Sequence, residues 1–332
     1  MSLVTAILVA MRNELLPDSR RLARIVTASE LLAAGLTKED VRSMVRHGVL
    51  TSVRRGVYAD KHQAAAISNQ RILAVAAALA LTDRCVASHQ DAAVIHGLDL
   101  LARPPGRVIS VSRNPQLGPN AHKAGHPPIH VHAVPLPRSH LTMKYRILVT
   151  TVARTVIDVA RTTPFRDGVV TADSALRRNK TTKQDLRDVA ARMARWPGIA
   201  RARDVIAFAD HRAESPLESI ARVAFRDGGL PEPKLQYWID GGGYLIGRAD
   251  FCWPEHMTIA EADGAVKYAD PARARQQLQR DTDLRDAGYQ VTHFTWQEID
   301  RVPAVVIGRI CASFKHNAAI RAAKGSPAGG PS

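Results

Sequence analysis

Cysteine is scarce in this sequence. Its 332 residues include three cysteines, Cys85, Cys252 and Cys311, which lie far apart along the chain. Disulfide scaffolds need an even and denser set of cysteines, and cysteine-based zinc motifs need ligands at short spacing. The sequence therefore excludes both kinds of framework, and it favours a reducing, cytoplasmic location.

Long hydrophobic runs are also missing. The stretch from Leu3 to Met11 is apolar, but about nine residues cannot span a bilayer, which takes about 20. No basic region precedes the stretch, and no cleavage pattern of small residues follows it, so it does not look like a secretory leader. We interpret it as the buried face of a first helix and expect no membrane partner.

Acidic residues are outnumbered. The chain has 46 Lys and Arg against 31 Asp and Glu, a net charge of +15. Such a balance favours polyanionic partners, nucleic acid first. The excess is uneven: residues 63–211 carry 21 basic against 10 acidic residues, whereas residues 212–313 carry 12 against 15. The sign of the charge changes near residue 212, where a domain boundary is expected.

Residues 27–58 contain the pattern of two short helices followed by a hairpin. The segment Thr27 to Glu30 reads as a capping box, and Gly35 ends the helix that it opens. A second helix begins near Thr37 and is closed by Gly48. Alternating residues on either side of residues 54–56 then predict two antiparallel strands. This order is typical of a winged helix-turn-helix.

The second helix of this pattern is basic on its outer face. We expect it to enter the major groove of double-stranded DNA, while the hairpin, as the wing, lies near phosphate or the minor groove. The alternative is an ordinary amphipathic helix with solvated arginines. The candidate DNA-binding residues are Lys38, Arg42 and Arg46 on the helix and Arg54 and Arg55 on the wing.

The N-terminal and middle blocks resemble AbiEi-type antitoxins. Residues 32–36 and 54–58 carry the resemblance in the winged helix, and Ser88-His89 with residues 151–158 and 173–177 carry it in the block that follows. The resemblance implies a DNA-binding repressor that silences its own operon. It also implies a partner, a nucleotidyltransferase-like toxin that the repressor opposes.

Carboxylates are grouped in the C-terminal third of the chain. Glu218 lies in a predicted helix with Pro216 in its first turn, and Asp250 and Glu261 lie on two predicted strands joined by a short turn. Antiparallel pairing would place Asp250 beside Glu261. Carboxylate oxygens are the ligands that Mg²⁺ prefers, and such sites hydrolyse phosphodiesters. A metal-dependent nuclease, with Mg²⁺ or Mn²⁺, is the first hypothesis for this segment.

Residues 214–313 resemble the Vsr-like (very-short-patch-repair-like) branch of the PD-(D/E)xK nucleases. The resemblance is carried by residues 214–218, 248–254, 261–264, 280–284 and 287–289. It implies that Asp250 and Glu261 are metal ligands and that Glu218 orients metal or water. Asp263 stands where the superfamily has its lysine, a departure known in this branch, and Lys267 is then the candidate for activating water. These five residues form the predicted catalytic set.

Two alternatives to a simple nuclease stay open: a defence or mobile-element effector in which DNA binding and cleavage both operate, and a protein whose acids are not catalytic. Acids at strand ends are often solvated or paired with arginine, and Arg248 and Arg280 are available for this. The chain is then an AbiEi-like antitoxin, a transcriptional repressor of a type IV toxin-antitoxin system that keeps the nuclease fold as a non-catalytic scaffold.

The middle block contains two further patterns. Arg154 and Asp158 are four residues apart on a predicted helix, which indicates an intrahelical ion pair. Five histidines lie in a stretch with much Pro and Gly, without an accompanying cysteine or carboxylate, so a basic loop is favoured over a zinc site. They are His122, His126, His130, His132 and His140.

These observations predict a multidomain α/β protein. We expect a winged helix-turn-helix in residues 1–62 and a basic, mixed α/β domain in residues 63–211. Residues 212–313 should form a restriction-endonuclease-like αβββαβ core. Residues 314–332, which end in a segment rich in Gly, Pro and Ala, should be a disordered tail.

Overall fold

The structure is a computed structural model that describes residues 25–65, 69–82, 84–102, 108–117, 129–145, 147–240, 244–263 and 271–325. Several predictions lie outside these residues: those for the apolar stretch from Leu3 to Met11, the histidines His122 and His126, the candidate Lys267 and the tail residues 326–332. The chain divides into two compact units. Unit 1 contains residues 1–163 and 184–200, and unit 2 contains residues 164–183 and 201–332.

The N-terminal part of unit 1 is a three-stranded antiparallel sheet with two short helices. Leu31, Leu36, Val41, Met44 and Leu50 are buried together in a small core of their own. The strands pair in the order β1-β3-β2. The elements are β1 (Ile25–Thr27), α1 (Ala28–Ala33), α2 (Lys38–Arg46), β2 (Leu50–Arg54) and β3 (Val57–Asp60).

The rest of unit 1 is built on a five-stranded mixed sheet. It has the order β6-β5-β4-β8-β7, in which β5 with β6 and β4 with β8 are parallel pairs. The Ala-rich residues 69–101 contain two helices with the short strand β4 between them. The elements are α3 (Lys61–Ala65), α4 (Gln70–Leu79), β4 (Val86–Ala87), α5 (His89–His96), β5 (Ile109–Arg113), β6 (Ile129–Ala133), β7 (Leu141–Lys144), β8 (Ile147–Thr150) and α6 (Val152–Thr162).

Three helices follow, and the division between the units runs through them. The helix α7 belongs to unit 2, where Asp173 on it pairs with Arg222 at 3.0 Å. Unit 2 therefore contains residues 212–313 together with residues 164–183 and 201–211, which the sequence assigned to the middle domain. The helices are α7 (Phe165–Arg177), α8 (Lys183–Arg192) and α9 (Ile199–Phe208).

The remainder of unit 2 follows the predicted element order of helix, three strands, helix and strand. Its sheet has the order β12-β11-β10-β9, antiparallel except for the parallel pair of β11 and β12. One face carries an aromatic cluster of Phe225, Phe251, Trp253 and Phe294. The elements are α10 (Pro216–Asp227), β9 (Lys234–Asp240), β10 (Leu245–Trp253), β11 (Thr258–Asp263), α11 (Pro271–Asp286), β12 (Gln290–Thr295), α12 (Trp296–Arg301) and α13 (Pro303–Gly325).

The prediction of a disordered tail from residue 314 is wrong for residues 314–325, which continue α13. Phe314 contacts the Trp253 ring edge-on, with centroids 5.5 Å apart. Asn317 is buried, and its Nδ2 donates to the carbonyl oxygens of His256 and Met257 at 2.9 and 2.8 Å. These tertiary contacts hold the helix in place, and local composition does not reveal them.

No helix among the described residues is long and apolar enough to cross a membrane.

Candidate functional sites

The helices α1 and α2 both begin with a complete capping box. Thr27 and Thr37 are the N-caps, and each side chain accepts a hydrogen bond from the backbone N–H three residues on, while Glu30 and Asp40 reciprocate. Gly35, with a φ of 89°, lies between the helices, in the left-handed region that glycine adopts without a steric penalty. The caps and the glycine fix where α2 starts and how it leaves α1.

The exposed face of α2 carries charged side chains, and its opposite face is buried and apolar. Val41 and Met44 face the core, whereas Lys38, Arg42 and Arg46 are exposed. Arg46 Nη2 lies 2.8 Å from Glu39 Oε1, and Arg42 Nη1 lies 3.4 Å from Glu39 Oε2. The three predicted DNA-binding residues of the helix therefore lie on its solvent side, and two of them share one carboxylate.

The hairpin between β2 and β3 turns at residues 54–56. Arg54 is half-buried and Arg55 is exposed, and Gly56 has a φ of 75° at the turn. The Gly56 carbonyl oxygen accepts a hydrogen bond from Ala28 N at 2.8 Å. The turn with its arginines is thus joined to the start of α1.

Glu218 is buried at the N-terminus of α10. Its carboxylate accepts hydrogen bonds from Glu214 N, Ser215 Oγ and Gln236 Nε2, each at 2.8 Å. Burial raises the pKa of Glu218, and the negative charge of Asp250 raises it further, although the hydrogen bonds oppose the shift. The predicted catalytic residue Glu218 is therefore a buried, hydrogen-bonded carboxylate with a raised pKa.

The register of β10 and β11 brings Asp250 to the level of Glu261, because Phe251 pairs with Ala260. Asp250 Oδ2 accepts a hydrogen bond from Ala262 N at 2.9 Å. Glu261 is buried and pairs with Arg280 Nη2 at 2.9 Å. Glu261 thus forms the ion pair with arginine that the sequence offered as the alternative to metal binding.

Asp263 is next to a histidine that sequence reasoning missed. His293 Nδ1 lies 3.4 Å from Asp263, and its Nε2 lies 2.9 Å from Asp281 Oδ2. The hydrogen bond to Asp263, followed by the charges of both acids, raises the pKa of His293. The signal in the sequence was weak, since a lone histidine on a strand is usually structural.

The arrangement does not assemble a metal-binding group in the part of the chain that the structure describes. There, no group of three or more His, Cys, Asp or Glu side chains is placed to hold an ion. Asp250 and Glu261 each have a protein partner instead. The assignment of these two as metal ligands, with Glu218 and Asp263 in support, stays a prediction.

Unit 1 contains a second charged cluster, and it is fully buried. Arg154 Nε pairs with Asp158 Oδ2 at 2.8 Å, so the predicted intrahelical ion pair is confirmed. Arg161 Nε bonds the other oxygen of Asp158 at 2.9 Å. Both guanidinium groups face the Trp196 ring, at 4.6 and 5.1 Å from its centroid. Sequence reasoning saw the pair but not the second arginine or the tryptophan.

Three histidines extend this cluster. His130 and His132 are two residues apart on β6, so they share a face of the strand, and their rings stack with centroids 4.2 Å apart. His132 also stacks on His89 at 3.6 Å. Burial lowers the pKa of His89 to about 3 and that of His132 to about 4, with a smaller effect of His130 on the latter. The imidazoles contact one another through their faces.

Comparison with known proteins bears on the N-terminal segment. Residues 14–59 match a family model described as transcriptional regulator, AbiEi antitoxin. This match includes α1, α2 and the hairpin, and it confirms the predicted AbiEi resemblance of the segment. It ends well before residues 212–313, so the Vsr-like resemblance stays a prediction.

Two uncharacterized proteins of Mycobacterium tuberculosis, MT2308 and Rv2248, are each 34% identical to this chain over 163 residues. The alignment spans 49% of this chain and 60% of each relative. Among solved structures, the RV2827C protein from the same species is similar with a TM-score of 0.37 and 17% identity, over 66% of this chain and 80% of that chain.

Proposed function

We propose that this chain is a DNA-binding transcriptional regulator of the AbiEi antitoxin type, with a winged helix-turn-helix formed by α1, α2 and the β2–β3 hairpin. The observation that carries the proposal is the match of residues 14–59 to that family. The exposed arginines of α2 support it, and so does the turn with Arg54 and Arg55.

In this proposal α2 is the recognition helix. An α-helix fits the width of the major groove, and its outward side chains reach the base edges. Arg42 and Arg46 lie opposite the buried residues Val41 and Met44, so they would face the groove floor. Arg54 and Arg55 lie at the tip of the hairpin, from which they would reach phosphate or the minor groove.

The test is binding to a duplex that carries the chain's own promoter. We expect salt-sensitive binding that the double variant Arg42→Ala, Arg46→Ala weakens by about tenfold or more. A matched control is Arg187→Ala, Arg195→Ala, which removes two exposed arginines elsewhere in unit 1. Equal loss in both variants would mean that only total charge matters, and it would refute recognition by α2.

The proposal also includes a partner and a location. By analogy with AbiEi systems we propose that the chain opposes a nucleotidyltransferase-like toxin encoded beside it. We further propose a cytoplasmic location, which three free cysteines support. Co-expression tests the partner: the chain should restore growth to cells that express the neighbouring gene, and an unchanged arrest would contradict it.

A metal-dependent endonuclease with a Vsr-like fold in residues 212–313 is the second candidate. It is favoured by the buried carboxylate of Glu218, whose pKa is raised by burial and by the charge of Asp250, since carboxylates with perturbed pKa values are common at catalytic sites. Wild-type protein with plasmid DNA and Mg²⁺ or Mn²⁺ should then cleave it, and the variant Asp250→Ala, Glu261→Ala should not. Asp286→Ala, an exposed acid on α11, is the control.

A further inference from the structure

The outer face of α2 holds a three-residue arrangement that suggests which bases it reads. Glu39, Arg42 and Arg46 are spaced by three and four residues, so they form one stripe along the helix. The two oxygens of the Glu39 carboxylate are divided between the arginines, at 2.8 Å to Arg46 and 3.4 Å to Arg42. The hydrogen bond from Arg46, and then that from Arg42, lowers the pKa of Glu39, so it stays ionised between them.

Asp40, the neighbouring acid, is part of the helix cap. Its Oδ2 accepts hydrogen bonds from Thr37 N at 2.8 Å and from Thr37 Oγ1 at 2.6 Å, as part of the cap. A carboxylate held there cannot also hold the arginines. Glu39 is therefore the acid of α2 that acts on the outer face.

An exposed arginine samples many rotamers, and fixing it on a base costs conformational entropy. The side chains of Arg42 and Arg46 are 72% and 64% exposed, so packing does not restrict them. A shared carboxylate restricts them before DNA arrives, which lowers the entropy lost on binding.

We propose that Arg42 and Arg46 each read a guanine in the major groove and that Glu39 is the residue that positions both. This inference rests on the proposed function of α2. A guanidinium group offers donors alone, and guanine presents two acceptors, O6 and N7, to the major groove. Adenine presents a donor beside its N7 and would leave one arginine N–H facing another N–H.

The test starts with a library of duplexes that contain a 20-bp randomised core, from which wild-type protein selects its preferred sequences. We expect selected sites to contain guanines at two fixed positions. Replacing either guanine by 7-deazaguanine removes the N7 acceptor and keeps base pairing. Wild type should lose about tenfold in affinity for each replacement.

The variants assign each guanine to a residue. Arg46→Ala should bind more weakly but should no longer distinguish one of the 7-deaza duplexes from the unmodified one, and Arg42→Ala should do the same at the other position. Arg46→Gln should shift the preference at its position from guanine to adenine, because a glutamine amide matches adenine N6 and N7.

Glu39→Gln tests the positioning role. We expect this variant to discriminate less between the guanine and 7-deaza duplexes, by about threefold, while its affinity for unselected DNA is equal or higher, because a repulsive charge has gone. The control is Glu30→Gln, which removes one charge from α1 and keeps a residue able to complete the capping box. It should leave the discrimination unchanged.

The outcomes separate this inference from the function on which it rests. Binding that selects no guanines, or guanines that tolerate 7-deaza replacement, overturns the inference and leaves DNA binding intact. Equal effects of Glu39→Gln and Glu30→Gln overturn the positioning role. If wild type binds none of the library, the proposed function itself fails.

Discussion

Asp158 is the residue on which the buried charge of unit 1 depends. It is fully buried and holds two guanidinium groups, those of Arg154 and Arg161. A buried ion pair adds little stability over an apolar replacement, but removing one member leaves a charge without compensation. The stability of unit 1 should therefore depend strongly on this carboxylate.

Asp158→Asn should lower the free energy of unfolding by about 3 kcal/mol, because Arg154 and Arg161 would keep their charges in the interior. Urea unfolding followed by circular dichroism measures the change. Asp188→Asn, an exposed acid on α8, should change stability by less than about 0.5 kcal/mol. Equal stability of the two variants would show that solvent reaches the cluster.

The histidine stack predicts a pH dependence. The pKa of His89 is about 3 and that of His132 about 4 in the folded protein, whereas unfolded histidine titrates near about 6.5. Between these values the unfolded chain binds more protons, so stability rises with pH. Stability should be complete above about pH 6.5 and should fall below it, by up to about 1.4 kcal/mol per pH unit for each histidine.

Urea midpoints between pH 5 and pH 8 check this dependence, and His89→Gln, His132→Gln should flatten it. His47→Gln, an exposed histidine at the end of α2, is the matched control and should leave the slope as it is. Two charged groups lie beside the stack: His89 Nε2 is 4.0 Å from Asp158 Oδ1 and 3.3 Å from the guanidinium group of Arg161. His293 opposes the trend, because its raised pKa makes a contribution that is lost as pH rises.

At the scale of elements, two glycines show how context decides the effect of one methyl group. Gly198, in the turn before α9, has a φ of 77°, and a Cβ there would overlap the carbonyl oxygen of Arg161. Gly308 lies within α13, and a Cβ there would meet open space. Helix interiors favour alanine over glycine by about 1 kcal/mol.

Gly198→Ala should therefore destabilise the protein by more than about 1 kcal/mol, through backbone strain and the displaced carbonyl. Gly308→Ala should stabilise it by about 0.5 to 1 kcal/mol. Thermal unfolding of both variants beside wild type provides the measurement. A stabilising Gly198→Ala would mean that the Trp196–Gly198 turn adopts another conformation.

At the scale of the whole molecule, α13 continues beyond residue 313, where the sequence predicted the end of the C-terminal domain. Phe314 and Asn317 contact the segment around Trp253 and His256, about 60 residues back in the chain. The helix is therefore held against the turn that joins β10 and β11.

Ending the chain after residue 313 should consequently lower the melting temperature by about 5 °C or more, because a large aromatic contact and the Asn317 hydrogen bonds are lost. Ending it after residue 325 should leave the melting temperature nearly unchanged. Calorimetry compares the two. A fully stable 1–313 chain would show that the contacts of α13 add nothing.

The sequence by itself determined the local features: the capping box at Thr27, the start of the second helix near Thr37, the hairpin, the element order of the C-terminal segment and the pair of Arg154 and Asp158. Each depends on residues close in the chain, where propensity and spacing suffice. The tertiary structure alone decided which distant groups meet. Arg280 pairs with Glu261, His293 lies between Asp263 and Asp281, and His89 stacks on His132. Such contacts depend on packing and register, which one sequence does not display.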